Sequence, residues 1–214
     1  LMAGKKITLK VTGTTSTVTW TSSDESVATV SDKGVVKGIK KGSTEVQASV
    51  DGIKLTCKVS VVAKMSKKDF DRFGITEARY VRGKRKVTVR KINFIYLCQK
   101  KGYAGKGGFY YTFQFKNGTG KRRYTNRGIK TGSKLSTIKK KYGDQIVVKK
   151  CSKKDAFSNM KLVKKNKAKK YTEVSYSKYK IRFFLNSKSK VVGIIVACNM
   201  KNIKKKHLKA DGYL

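Results

Sequence analysis

The chain has 214 residues, of which 38% are hydrophobic and 10% aromatic, enough for one large or two small packed cores. The 53 Lys and Arg residues against 12 Asp and Glu residues give a formal net charge of +41, which excludes a surface whose charges balance one another. Because so many positive charges repel one another in a compact fold, we expect a permanently bound anionic partner. No apolar run approaches the ~18 residues that span a bilayer, so no transmembrane segment is expected, and residues 1–4 do not begin a signal sequence.

The charge is unevenly distributed along the chain. Residues 1–62 carry nine Lys residues against five acids, a net charge of +4, whereas residues 63–214 carry 44 basic residues against seven acids, a net charge of +37. Most of the basic residues are Lys, whose ammonium groups favour diffuse attraction over the bidentate recognition that Arg provides. We therefore expect an anionic partner to bind the second part of the chain.

Short β-branched runs alternate with turn residues in the first sixty residues. Val18 and Trp20 share a face, and Val27–Val30 and Val35–Val36 form further strands. Ile7–Val11 opens the series, and Asp51-Gly52 forms a tight turn between two long alternating strands that include Val46 and Leu55. The pattern predicts an all-β sandwich, with Trp20 in the centre of its core and Cys57 on the core face of the last strand.

Four motifs in this region occur together in a known family. The Trp20 strand is followed by Thr-Ser-Ser-Asp at residues 21–24, Val-Ala-Thr-Val at 27–30, Gly-Val-Val-Lys-Gly at 34–38 and Lys-Gly-Ser-Thr at 41–44. Residues 5–62 resemble the bacterial immunoglobulin-like domain of group 2, the module of intimin-type and invasin-type surface proteins. The resemblance implies a bacterial protein that is secreted or attached to the cell surface, with the Ig-like domain acting as a spacer.

A domain boundary is predicted at residues 62–66, which divides the chain into an Ig-like domain, 1–62, and a basic domain, 63–214. Ser66 and Asp69 have the spacing of a capping box, and Met65 and Phe70 that of a hydrophobic staple, so a short helix should follow and end before Gly74.

The second domain alternates long strands with one clear helix. We expect strands over 86–98, 109–116, 121–124, 145–148, 171–176, 179–185 and 191–198, with a glycine-rich connection at 102–108 and an Asn117-Gly118 turn. Leu135, Ile138 and Tyr142 have helical spacing, which predicts a helix over 133–142 that ends at Gly143. The domain is therefore expected to be α+β with an antiparallel sheet and short helices.

The run Gly-Ile-Lys-Thr-Gly-Ser-Lys-Leu at residues 128–135, before a helix that ends in Tyr142-Gly143, is weakly similar to the helix-and-sheet units of β-lactamase inhibitor protein and of small bacterial outer-membrane assembly lipoproteins. Such a resemblance implies binding to a protein or a scaffolding role, and it assigns no functional residue.

The four cysteines, Cys57, Cys98, Cys151 and Cys198, are far apart and form no Cys-x-x-Cys pair. No metal or other cofactor is expected. A Cys98–Cys198 disulfide remains open beside the alternative of free thiols, and Cys198 shares the predicted core face of its strand with Val196 and Ile194.

No catalytic residue is predicted. His207 is the only histidine and lies in a Lys-rich C-terminal stretch, which would hold a general base poorly against a cysteine nucleophile. The seven carboxylates of the second domain show no spacing typical of glycoside cleavage. The sequence therefore predicts a binding protein and not an enzyme.

The strongest functional feature is the density of lysine over residues 149–170, where ten Lys residues accompany one Asp, together with Lys139–Lys141 and the Lys-rich stretch after Lys201. One interpretation is a solvated, mobile loop that keeps the protein soluble. The other is a polyanion-binding site. Its predicted residues are Lys139, Lys140, Lys141, Lys149, Lys150, Lys153, Lys154, Lys164, Lys165, Lys167, Lys169 and Lys170.

The expected partner is an anionic polymer, either teichoic acid, a glycosaminoglycan or extracellular DNA, or else a surface protein. This partner would serve adhesion or association with the cell wall. Two alternatives stay open: a nucleic-acid-binding protein that uses the same charge, and an inhibitor of a secreted enzyme.

Overall fold

The computed structural model describes residues 1–66, 68–71, 74–75, 78–82, 85–89, 92–93, 109–115, 125–177, 179–198 and 203–210. It is mostly antiparallel β-sheet with a few short helices, all-β in the N-terminal part and α+β in the C-terminal part. Backbone contacts group it into two compact units, Leu1–Lys64 with Lys139–Gln145, and Met65–Ile138 with Ile146–Leu214. Independent folding of residues 1–62 and 63–214 stays a prediction.

The N-terminal part is a sandwich of two three-stranded sheets. Its strands are β1 (Lys6–Thr8), β2 (Thr19–Ser22), β3 (Ala28–Val30), β4 (Val35–Gly38), β5 (Gly42–Val50) and β6 (Ile53–Val61). The sheets have the orders β1-β4-β3 and β2-β5-β6, with every pairing antiparallel. Ala28 and Val36 from one sheet and Val46 and Val59 from the other share one buried core. The predicted all-β architecture is confirmed.

The predicted turn at Asp51-Gly52 joins β5 to β6. Both residues have positive φ, 50° and 76°, and Val50 pairs with Ile53 directly across the turn. Two successive residues with positive φ match the twist of the paired strands, which explains the choice of Asp-Gly.

The sequence predicted Trp20 at the centre of the core, but this residue lies at the border of the core. It is half-buried and packs against the core cluster from β2, an edge strand. Gly34, with φ of +70°, makes this approach possible, because a Cβ there would lie 3.0 Å from Trp20 Cζ2 and 2.5 Å from the Leu9 carbonyl oxygen.

The prediction that Cys57 is buried is wrong. Cys57 is exposed, and Ile53 and Leu55 on the same face of β6 are 60% and 47% exposed, whereas Val59 and Val61 are buried. Because β6 is an edge strand, only its second half joins the core cluster. Alternation identified the face correctly but could not show where the core ends.

Nine further strands lie in the described residues of the C-terminal part. They are β7 (Gly74–Ile75), β8 (Ala78–Arg82), β9 (Arg85–Val89), β10 (Ile92–Asn93), β11 (Phe109–Phe115), β12 (Val148–Lys150), β13 (Lys170–Tyr176), β14 (Tyr179–Leu185) and β15 (Val191–Cys198). Seven form an antiparallel sheet of order β12-β13-β14-β15-β11-β8-β9, and β7 pairs with β10 in a separate two-stranded sheet.

Strands β11, β13, β14 and β15 confirm the predictions to within a residue, and Ile194, Val196 and Cys198 are buried as expected. The single long strand predicted from residue 86 is wrong, because β9 pairs with β8 in the large sheet while β10 pairs with β7 in the small one. The strand predicted over 145–148 lies at Val148–Lys150 instead. Its position follows the pairing with Lys170–Thr172 and not the apolar run, of which Val147 is 66% exposed.

Within the described residues, the C-terminal part also has four short α-helices and one 3-10 helix. The α-helices are α1 (Lys68–Asp71), α2 (Leu135–Tyr142), α3 (Lys161–Lys165) and α4 (Lys205–Ala210), and the 3-10 helix is Phe157–Asn159. Gly143, with φ of +95°, follows α2 as predicted, and its N–H donates to the Lys139 carbonyl at 2.7 Å. No helix in the described ranges has the length and apolar composition needed to cross a membrane.

The predicted capping box precedes α1. The Asp69 carboxylate accepts a 2.7 Å hydrogen bond from the Ser66 N–H, and Met65 and Phe70 are both buried, as a staple requires. Asp69 Oδ1 also accepts a 2.6 Å hydrogen bond from Arg127 Nε.

Four sequence predictions fall outside the described residues. They are the glycine-rich connection at 102–108, the Asn117-Gly118 turn, the strand over 121–124, and the state of Cys98.

Candidate functional site

A buried arginine lies in the middle of one face of the seven-stranded sheet. Arg182 is on the central part of β14, where the alternation places it on the same face as Phe184, and its side chain is 5% exposed. On the neighbouring strands, Glu173 pairs with Arg182 on one side and Ile195 on the other. A buried guanidinium is costly unless carboxylates compensate its charge.

Two carboxylates compensate Arg182. Nη1 donates to Asp155 Oδ2 at 2.6 Å, and Nη2 and Nε donate to Glu173 Oε1 at 3.1 and 3.2 Å. Glu173 comes from the adjacent strand β13, whereas Asp155 comes from the connection between β12 and β13. The ion pair with Asp155 therefore fastens that connection onto the sheet.

Aromatic rings surround the guanidinium. Its central carbon lies 4.0 Å from the centre of the Tyr171 ring, 5.5 Å from that of Phe157 and 5.8 Å from that of Phe184. These distances allow cation–π attraction, which is strengthened where water is excluded. Phe157, Tyr171 and Phe184 also belong to the hydrophobic core on this face.

Asp155 is held in position by the start of the 3-10 helix. Its Oδ2 accepts 2.7 Å hydrogen bonds from both the N–H and the hydroxyl of Ser158. The Asn159 amide donates to the carbonyl oxygens of Ser152, Lys153 and Asp155 and thereby closes the preceding turn. The orientation of the carboxylate toward Arg182 is thus fixed by local hydrogen bonds.

The charges of the pair reinforce each other. Burial by itself raises the pKa of the Asp155 carboxyl, but the hydrogen bond and charge of Arg182 and the bonds from Ser158 outweigh it, so the pKa lies below its ordinary value. Burial disfavours the Arg182 cation, yet Glu173 and Asp155 raise its pKa above the usual range. Asp155 and Arg182 therefore remain charged at neutral pH.

A cleft of about 410 Å³ opens beside this cluster. Among the described residues, its lining combines the two carboxylates with one guanidinium and four ammonium groups, a net charge of +3. Its lining residues are Lys154, Asp155, Ala156, Glu173, Lys180, Arg182, Ile203, Lys204 and Lys205. This volume lies in the range of about 300–1,000 Å³ that small-molecule sites occupy.

The twelve predicted lysines fall into two groups. Lys139–Lys141 end α2 and group with the first compact unit, whereas the nine from residues 149–170 belong to the second. Lys139 and Lys170 are half-buried and the other ten are exposed. Of the twelve, Lys154 alone lines the cleft.

The lysine-rich stretch over residues 149–170, which we call the lysine segment, is a folded part of the second unit. Phe157, Met160 and Val163 from this stretch are almost fully buried in the core on the Arg182 face, and Lys150 pairs with Lys170 where β12 meets β13. In the described part of the chain, none of its ten lysines forms a salt bridge. Its one acid, Asp155, is bound to Arg182.

Arg182, Glu173 and Lys180 were not among the predicted site residues, and Lys205 was included only as part of the Lys-rich stretch after Lys201. One signal was available, because an arginine between Ile181 and Phe183 in an apolar strand indicates a charge that must find a buried partner. The Lys-rich C-terminal stretch was expected to hold a side chain poorly, but it is folded: α4 forms there, and Ile203 and Leu208 are buried. The side chain of His207 lies outside the described residues.

Cys57 and Cys151 carry free thiols, and Cys198 is buried. Burial raises the pKa of the half-buried Cys151 thiol, although its hydrogen bond with Ser158 opposes the shift. Across the described ranges, no three His, Cys, Asp or Glu side chains come together as metal ligands.

Residues 2–61 match the bacterial Ig-like domain (group 2), which confirms the resemblance seen in the sequence. Domains of this family are typical of proteins on the bacterial surface or outside the cell. No curated protein shows a significant match to the chain.

Proposed function

We propose that this is a non-catalytic bacterial protein of the cell surface or the extracellular space, in which the Ig-like part presents a basic part to an anionic polymer. The Ig-like match supports the location. The polymer would be a teichoic acid or a glycosaminoglycan, and binding would attach the protein to a cell wall or to a host surface.

One observation carries the proposal: the ten lysines of the lysine segment have no acidic partner in the described part of the chain. Asp155, the one acid in the segment, is committed to Arg182. Exposed ammonium groups without internal counterions bind phosphate or sulfate groups with release of the polymer's own counterions.

Order in the segment supports the same function. Buried Phe157, Met160 and Val163 fix the backbone that carries the exposed lysines, so binding costs less conformational entropy than it would from a mobile loop. The lysines of β12 and α3 are therefore presented on a fixed frame.

Retention of the full chain on a heparin column tests the proposal. A variant with Lys149, Lys150, Lys164 and Lys165 changed to Gln should elute at clearly lower salt than the wild type. In the matched control, Lys33, Lys40, Lys41 and Lys54, four exposed lysines of the Ig-like part, are also changed to Gln. This variant should elute at a salt concentration close to that of the wild type. Equal shifts for the two variants would contradict the proposal, because net charge alone would then explain retention.

The alternatives predict other outcomes. A nucleic-acid-binding protein would show a steep preference for one DNA sequence over others of equal length, whereas the few Arg residues favour binding that depends on charge alone. An inhibitor of a secreted enzyme would form a stoichiometric complex that survives high salt.

A further inference from the structure

We infer that the cleft beside Arg182 binds a hydroxylated unit that carries a phosphate or sulfate ester, such as one sugar-phosphate or polyol-phosphate repeat of the polymer. This inference rests on the proposed function and names the chemistry that one site would recognise. It follows from the donors and acceptors that the cleft presents.

The donors suit a tetrahedral anion. Of the five N–H groups of Arg182, three are used by Asp155 and Glu173, and the other two donate to no residue in the described ranges. Lys180, Lys204 and Lys205 line the same cleft. A guanidinium that is already oriented by two carboxylates, together with nearby ammonium groups, forms strong charge-assisted hydrogen bonds with an ester oxygen.

The acceptors suit hydroxyl groups. Asp155 uses only Oδ2 and Glu173 only Oε1 for hydrogen bonds with side chains, so Oδ1 and Oε2 accept none from the described residues. Both residues line the cleft and are about one-fifth exposed. A bare anion would be repelled by these two oxygens, whereas a hydroxyl group donates to them.

Charge and size narrow the ligand further. The net charge of +3 disfavours a cation, and 410 Å³ exceeds what a single inorganic ion fills. Ile203 adds an apolar surface to the lining, against which the carbon skeleton of a sugar or polyol can pack. The combination fits a unit with one ester and several hydroxyl groups.

Calorimetric titration of the full chain with three ligands tests the inference. Glucose 6-phosphate is the probe, methyl phosphate has the same charged group without the sugar hydroxyls, and glucose has the hydroxyls without the ester. Glucose 6-phosphate should bind about tenfold more tightly than methyl phosphate, the ratio that 1.4 kcal/mol gives, and glucose should bind most weakly. Equal binding of the two phosphates, or of glucose and its phosphate, would overturn the inference. A comparison of glucose 6-sulfate with glucose 6-phosphate then shows whether the cleft binds a sulfate ester or a phosphate ester more tightly.

Two double variants that remove the same charge test whether glucose 6-phosphate binds in the cleft. Lys180→Gln with Lys205→Gln should weaken glucose 6-phosphate binding about tenfold. Lys188→Gln with Lys190→Gln removes two exposed lysines of the second unit that lie outside the lysine segment and do not line the cleft, and should leave the affinity unchanged. Equal losses for both pairs would overturn the inference. If the sugar phosphate fails to bind while the lysine segment still determines heparin retention, the cleft inference fails and the proposed function stands.

Discussion

Asp155 and Arg182 are 27 residues apart in sequence and are joined at 2.6 Å, a contact that attaches the lysine segment to the centre of the sheet. The same guanidinium holds Glu173 on the neighbouring strand. A single side chain thus links the sheet to the connection that carries six of the twelve predicted polyanion-binding lysines.

Replacement of Arg182 by Met should lower the free energy of unfolding by about 3 kcal/mol, because Asp155 and Glu173 would keep largely buried charges without a partner. Urea unfolding followed by far-UV circular dichroism measures the change. A triple variant that adds Asp155→Asn and Glu173→Gln should recover part of the loss, since it buries no unpaired charge. A single variant as stable as the wild type would contradict the assigned role.

The Asp155 pair should make stability fall at acid pH. Because the pKa of Asp155 is lower in the folded than in the unfolded chain, its contribution is complete above the unfolded pKa of about 3.9 and is lost as pH falls through the folded pKa. The stability difference between wild type and Asp155→Asn, from urea midpoints, should therefore be constant from about pH 5 to 7 and shrink below about pH 4. A difference that stays constant into the acid range would exclude this origin.

A comparison of alanine substitutions at Gly13 and Gly34, which have similar φ, distinguishes the effect of backbone strain from that of packing in the Ig-like part. Gly34→Ala should cost clearly more than Gly13→Ala, because a Cβ at Gly34 meets the Leu9 carbonyl and the Trp20 ring, whereas nothing lies within 4 Å at Gly13. Gly13→Ala should lose about 1 kcal/mol from its φ of +85° alone. Fluorescence of Trp20, the one tryptophan, reports urea unfolding of this part directly. Equal losses at the two positions would show that the ring moves aside freely.

The exposed half of β6 should tolerate substitution. Leu55→Ala should change the free energy of unfolding by less than about 0.5 kcal/mol, whereas Val59→Ala on the same face should cost about 2 kcal/mol through lost burial and a cavity. Urea midpoints from Trp20 fluorescence compare the two variants. A large loss at Leu55 would mean that this residue is buried in solution.

The Asp69–Arg127 pair should couple α1 to the loop after residue 124. A double-mutant cycle with Asp69→Asn and Arg127→Gln should give a coupling of about 1–2 kcal/mol, since both side chains are largely buried and the shorter contact is 2.6 Å. The cycle is needed because each residue makes other contacts. A coupling near zero would reduce the pair to a surface interaction.

The predictable parts of the fold are those in which local chemistry and tertiary structure agree. Strands β14 and β15 are apolar runs that are buried within the sheet, and Asp51-Gly52 and Gly143 have the positive φ that their residue types favour. The helix α3 and the 3-10 helix were missed because lysines dominate the segment and conceal the apolar residues Met160 and Val163.

The candidate site was less predictable because its partners are distant in sequence. The lysine density pointed to the segment, but the charge on Arg182 is explained only when Asp155 and Glu173 are brought to it by the turn and the strand pairing. Strand β8 was missed for a related reason, since Arg79 and Arg82 interrupt its apolar pattern. Register and long-range ion pairs are set by the whole sheet and not by neighbouring residues.

The pairing of Lys150 with Lys170 lies at the margin of the large sheet, where β12 ends the strand order. Like charges at such a margin repel an incoming strand from another molecule and so discourage fibrous stacking. A polymer that neutralises these ammonium groups would remove that repulsion. Several copies bound along one polymer chain would then bring their uncharged sheet edges together. The protein would therefore associate with itself only after it has bound the polymer.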